Sequence, residues 1–340
     1  MLAIIIVVVL TLGVIFVNGW TDAPNAIATA VSTRVLPPSF AVKMAVVMNF
    51  AGALVMTMLS SKVATTLSTM VSFDESENDK ALIVLAAGMV AIVTWAILAW
   101  KFGIPTSESH ALIAGVSGAA IALGGANSIN GDQWVKVLLG LVISSVLGFG
   151  AGFLCTKLIE AICKNIKRSK ANKFFHWAEA LGAAFMAFLH GAQDGQKFMG
   201  IFLLGVYLYN SSWVGTNPDG SFIIPFWLVL LCSVTMGLGT SIGGYRIIKA
   251  VGMDMVKLEK YQGFSADVAA SLCLFFSTLS GIPISTTHTK TTAIMGVGAS
   301  KRLRAVNWAV VKEMVLAWIL TFPGCGIIAF GMAKLFLLIF

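Results

Sequence analysis

The chain has 340 residues, 58% of them hydrophobic and only 11% charged, with a net charge of +8. Soluble domains carry roughly 25% charged residues, and a soluble fold of this length has no place to hide so much apolar surface. A soluble protein is thereby excluded. Nucleic-acid binding is excluded too, because the basic residues sit in short loops between apolar runs, where membrane topology puts them.

A spanning helix needs about 20 apolar residues. In chain order, the stretches that predict spans are 2–18, 40–62, 81–101, 134–158, 176–190, 222–248, 263–280 and 306–338. The first begins without a charged region and has no cleavage-like site before Asn18, so it is expected to be a span and not a removed leader. Four more apolar stretches, 19–36, 103–124, 191–209 and 281–299, are broken by Gly, Pro and polar residues. Irregular backbone at membrane depth is tolerated only beside protein or a polar cavity, so these are the expected functional segments. Whether they cross or re-enter as hairpins stays open. The scattered cysteines have no ligand spacing and are read as small packing residues.

The interrupted segments come in pairs. GWTDAPNAIA at 19–28 answers GAQDGQKFMG at 191–200, placing Asp22 against Asp194, 172 positions later. GIPTSESH at 103–110 answers GIPISTTH at 281–288, 178 positions later, with five of eight residues identical. Two matches in the same order at nearly one offset mean duplication. The predicted organisation is a first repeat over 1–160, a basic linker over 161–175, and a second repeat over 176–340.

Loop charge then orients the repeats. The loop after the first Asp motif carries Arg34 and Lys43, whereas its counterpart at 209–221 carries neither Lys nor Arg. The next loop is acidic in the first half (Asp74, Glu75, Glu77, Asp79) and basic in the second (Lys249, Lys257, Lys260). Residues 125–133 have only Asp132, against Lys301, Arg302 and Arg304. Every comparison flips sign, so the fold class expected is an all-α integral membrane protein of two inverted-topology helical repeats, with interrupted helices at the centre. The basic linker is then cytoplasmic, and both termini of this multi-pass chain fall outside.

Ionisable groups at membrane depth are expensive, about 2.5–3.5 kcal/mol at a helix centre, and mark function. Asp22, Glu108, Asp194, Lys197 and Lys290 fall within the interrupted segments that carry the paired motifs, as do His110 and His288, with His190 abutting one. Pro105 and Pro283 favour helix starts just after them, whose unpaired N–H groups and positive dipole ends suit an oxyanion. Thr106, Ser107 and Ser109 line one such turn, and Ser285, Thr286 and Thr287 the other. The competing reading is that these hydroxyls only cap the helices. Asp22 and Asn25, three apart on one helix face, offer hard oxygens suited to sodium, together with carbonyls freed beside Gly19 and Pro24. Asp194 and Gln196 beside Gly191 and Gly195 offer similar chemistry, and Glu108 can join the cation set. The competing reading here is a buried ion pair, Asp194 with Lys197 or Glu108 with Lys290. Glu179, near a predicted helix end, is expected at the interface.

The stretch Asn18–Leu36, the partner HGAQDGQKFMG and the two GIP motifs together resemble the inorganic phosphate transporter (PiT) family, across both halves and nearly the whole chain. That resemblance implies symport of inorganic phosphate with cations, sodium in many members and protons in some, across a cell membrane. It assigns Asp22, Asn25, Asp194, Gln196 and the Ser/Thr turns to substrate or sodium. We expect Thr106, Ser107, Ser109, Gln196, Ser285, Thr286 and Thr287 at phosphate, and Asp22, Asn25, Glu108 and Asp194 at sodium. Sodium is then a co-substrate, no cofactor is called for, and the partners are phosphate, sodium and lipid; a homo-oligomer is compatible with this. Proton coupling, or sulfate as the oxyanion, is the alternative within transport. Outside it stand an intramembrane hydrolase using Ser107 and His110, which a duplicated motif argues against, and a phosphate sensor.

Overall fold

The computed structural model describes residues 2–102, 106–218 and 222–340. The expectation that Pro105 starts a helix falls outside them. The first half builds α1 (Leu2–Thr21), α2 (Pro24–Ser32), α3 (Pro38–Leu59), α4 (Lys62–Ser68), α5 (Asn78–Phe102), α6 (Glu108–Gly124) and α7 (Gly131–Cys163). The second builds α8 (Arg168–Tyr209), α9 (Phe226–Thr240), α10 (Tyr245–Lys249), α11 (Lys260–Ser280), α12 (Thr286–Lys301) and α13 (Trp308–Ile339). Among the described residues seven helical segments are long and apolar enough to span a membrane, or eight if α9 and the element after its 68° bend count as one. Exposed Leu138, Val142 and Val146 on α7, and Ile319 and Ile327 on α13, give those helices an apolar outer face suited to lipid.

Two expectations are corrected. The predicted span 176–190 and interrupted segment 191–209 are one helix of 42 residues, α8. Gly191 does not unwind it; a Cβ there would sit 2.2 Å from the carbonyl oxygen of Asn49, so this glycine lets α3 cross at backbone contact. Gly19 does the same for α1 against Met236 on α9. Such close approach is what joins helices in lipid, where apolar burial gives no drive between them. The 15-residue linker shrinks likewise, because α7 runs to Cys163 and α8 begins at Arg168, leaving only 164–167 between them.

Element order and packing repeat across the halves. α1 packs on α9 and α3 on α8; α6 packs on α13 and α12 on α7. The α1–α2 segment runs antiparallel to α8, its counterpart. Val7 lies against Gly205, Asn18 hydrogen-bonds Asp194, and Thr33 hydrogen-bonds Glu179. One apolar core takes Val7, Val14 and Ile15 from α1 with Phe198 and Phe202 from α8. A second takes Ile27 and Val31 from α2 with Met186 and Leu189 from α8. Between them, on both segments, lie the polar motif residues. The sequence therefore stacks two apolar cores around a polar layer.

Candidate functional site

The kink between α1 and α2 is local. Pro24 has no N–H to give, and the Asn25 N–H turns to the Asp22 carbonyl at 3.0 Å, so the helical ladder breaks at Asp22 and resumes. This points Asp22 and Asn25 into the polar layer. Asn25 Nδ2 donates to Asp22 Oδ1 at 2.6 Å, and the Thr287 hydroxyl donates to the same oxygen. Thr286 Oγ1 lies 3.3 Å from Asp22 Oδ2 and also 3.3 Å from Asp194 Oδ2. A hydroxyl has one hydrogen, so it serves one of these carboxylates and leaves the other facing an acceptor.

Asp194 is held from α8. Its Oδ1 accepts from Lys197 Nζ at 2.7 Å and its Oδ2 from Asn18 Nδ2 at 3.1 Å. Of the two ion pairs weighed from sequence, Asp194–Lys197 forms. Glu108–Lys290 does not: Glu108 Oε1 accepts from Thr21 at 3.0 Å, and Lys290 pairs with Asp267. His190 Nδ1, 2.8 Å from Asn49 Oδ1, must be its protonated nitrogen when the ring is neutral, which leaves the Nε2 lone pair 3.4 Å from Asp194 Oδ2. Acceptor atoms of Asp22, His190 and Asp194 thus converge within 4.8 Å of one another. The side-chain oxygens of Asn18 and Asn25 are buried without a hydrogen-bond partner. Two carboxylates and unpaired hard oxygens are the kind of donor set that a hard cation takes.

On the other side of the polar layer two helix ends meet. Ser107 caps α6 and Ser285 caps α12, each accepting from the N–H three residues on, at 3.4 and 3.1 Å. Capping is therefore one role of these two hydroxyls. It takes the His110 and His288 N–H groups and leaves those of Glu108, Ser109, Thr286 and Thr287 outside the helical ladders. The two helix starts meet, with Ser107 Oγ 2.8 Å from Ser285 Oγ. Ser109 Oγ accepts from Lys197 Nζ at 2.6 Å. Gln196 is buried with neither amide atom partnered. Thr106 stands apart, beside Trp95, Phe102 and Leu320 in a lateral apolar cleft. Every other predicted site residue has no more than 2% of its surface exposed, so the site is closed on both sides.

Three residues escaped the sequence reading. Asn18 stands one turn before Asp22, on the same face, and that spacing was its signal. Asp267, buried with Lys290 and Thr29, is a charge inside the predicted span 263–280, and such a charge is itself a flag. Glu179 is fully buried and accepts from Thr33 at 2.8 Å, not interfacial as expected. Because α8 begins at Arg168 and not near 176, Glu179 lies three turns inside it.

A multi-pass helical membrane protein with a closed, duplicated polar centre is the class these features define. The family model described as the phosphate transporter family matches residues 18–329, and the chain belongs to that family. It is 36% identical over 319 residues to a probable low-affinity inorganic phosphate transporter of Bacillus subtilis, covering 94% of this chain and 92% of that one. A protein of the same description from Rhizobium meliloti is 37% identical over 314 residues, covering 92% and 90%. The solved structure of a sodium-dependent phosphate transporter superposes with a TM-score of 0.88 over 100% of both chains at 23% identity, a likeness of fold. The family and these relatives are transporters, so the hydrolase reading of Ser107 and His110 falls away.

Proposed function

We propose that the protein is a sodium-coupled symporter of inorganic phosphate that works by alternating access across the cell membrane. The observation that carries the sodium reading is the convergence of Asp22, Asp194 and His190 acceptors around one point, with a single hydroxyl shared between the two carboxylates. A cation there removes the repulsion among these acceptors, and it offsets the cost of bringing an anion into a site of low dielectric. Phosphate is received where α6 and α12 meet, by first-turn N–H groups and by Ser107, Ser285 and their neighbours. Near neutral pH phosphate still carries protons to donate to a carboxylate, whereas sulfate only accepts, which favours phosphate beside Asp22 and Asp194. The antiparallel run of α1–α2 against α8 supports inverted repeats, and inverted repeats support a site opened alternately to either face.

One observation favours a second reading. A proton on His190 Nε2 would answer Asp194 Oδ2 without any sodium. Purified protein in sealed vesicles separates the two. We expect an inward sodium gradient to drive accumulation of labelled phosphate, and equal uptake with potassium in place of sodium under a proton gradient would overturn sodium coupling.

A further inference from the structure

The two copies of the Asp motif differ at one position that bears on the cation. Asp22 and Asp194 correspond, and three residues on Asn25 corresponds to Lys197. Ser109 and Thr287 correspond in the GIP motifs. The contacts follow the same symmetry. In one half-site Asp22 Oδ1 meets Asn25 Nδ2 at 2.6 Å and the Thr287 hydroxyl. In the other, Asp194 Oδ1 meets Lys197 Nζ at 2.7 Å, and that same Nζ meets Ser109 Oγ at 2.6 Å. The third ammonium proton goes to the Ile284 carbonyl at 2.6 Å. Lys197 is fully buried, and its three donors are all engaged.

Carboxylate, hydroxyl and carbonyl oxygens around one positive centre are the ligand set a sodium ion would take. In the Asn25 half-site the amide oxygen is left unpaired and no lysine or arginine pairs with Asp22 among the described residues, while His190, within 4.8 Å, makes its ion-pair contact with Asp194. Resting on the sodium reading above, we infer that Lys197 is a tethered cation occupying the second half's cation position, so that each phosphate travels with a single sodium ion, bound at Asp22. The duplication provides two cation positions, and one of them is permanently filled by the chain. An ammonium that cannot leave contributes to holding the anion and nothing to the gradient drive.

The test counts ions. In vesicles holding the wild-type protein, tracer sodium and tracer phosphate entering together should stand at one to one, with a sodium activation slope near one. At acid pH, where phosphate is monovalent, that cycle moves no net charge. A clamped potential should then leave accumulation unchanged, whereas each net charge moved would multiply it about fifty-fold at ~100 mV. A ratio of two sodium ions per phosphate, with potential-driven uptake, overturns the inference and leaves sodium coupling intact. Phosphate entry without any sodium overturns both. Lys197→Asn copies the Asn25 half-site and should raise the ratio and the activation slope toward two. Lys197→Met, which supplies neither charge nor ligand, should not. An unchanged ratio in a folded Lys197→Asn protein also defeats the assignment.

Discussion

Ser107 Oγ and Ser285 Oγ are 2.8 Å apart, and the two residues occupy the same place in the two copies of the GIP motif. A residue that touches its own counterpart lies at the centre of the relation between the copies. His110 and His288 obey the same rule, with ring centroids 4.3 Å apart. From that centre α6 leads to Ile129, which bridges Val71, and α12 leads to Val306, which bridges Val256. Two helix N-termini are thereby aimed at one point while their far ends reach two separate bridges. Their dipoles sum there in favour of an anion.

Replacing Ser107 or Ser285 by Ala should weaken phosphate without abolishing it. A hydrogen bond to a charged group contributes about 1.5–3 kcal/mol, one to two decades in half-saturation. First-turn N–H groups remain as donors. Loss of the cap should also lower stability, by about 0.5–2 kcal/mol. Uptake kinetics and melting measured on the same samples separate the roles: unchanged half-saturation with lowered melting would leave capping as the only one.

The two aspartates should respond differently to the same change. Asp22→Asn removes a carboxylate with no basic side-chain partner, so the protein should fold and keep phosphate-dependent protection while losing sodium-driven accumulation. Asp194→Asn strands the buried Lys197 ammonium, and breaking such a pair costs about 3–5 kcal/mol. Thermal unfolding in detergent should therefore drop markedly for Asp194→Asn and little for Asp22→Asn. Equal melting losses would contradict the pairing, and wild-type sodium dependence in Asp22→Asn would remove Asp22 from the cation site.

Much of this was legible because the motifs occur twice. Duplication located Asp22, Asp194 and the two hydroxyl turns at one centre, and charge at membrane depth singled out Lys197 and Lys290. What stayed hidden was partnership. Lys290 meets Asp267, 23 residues away, because α11 and α12 pack side by side, and no spacing in the sequence reports that contact. The sequence of the long α8 reads as broken because its glycines look like breakers. In lipid-embedded bundles glycine also marks close helix crossings, as Gly191 does against Asn49, and sequence does not separate the two uses.

The Asp267–Lys290 pair should prove replaceable as a unit. In the other copy, 178 positions earlier, Met89 and Leu112 stand in their places, both buried. Lys290→Leu alone strands a buried carboxylate and should cost about 3–5 kcal/mol. Adding Asp267→Met should restore most of that loss, since well-packed apolar pairs often match buried ion pairs. Melting of the two single variants and the double variant forms the cycle. A double variant no more stable than Lys290→Leu would mean the pair holds more than itself.

Orientation yields the last prediction. The loops flip sign of charge between the halves, and basic loops stay cytoplasmic. In a chain whose five cysteines, all free, have been replaced, Ser169→Cys and Lys301→Cys should label only from the cytoplasmic side and Ser76→Cys only from outside. The fold gives a second, independent ground for the side that charge assigns to residues 125–133. Val71 bridges Ile129, so the end of α6 lies on the face that carries Ser76, although α6 begins at the buried centre. Exposed Asn127 should therefore label from outside as Asn127→Cys, while Arg302→Cys, beside the matching Val256–Val306 bridge, should label from the cytoplasm. An impermeant thiol reagent applied to intact cells and then to inverted vesicles reads each side. Labelling of positions 76 and 169 from one side would end the inverted arrangement. Labelling of position 127 from the cytoplasm would instead keep the inversion and reverse the course assigned to α6.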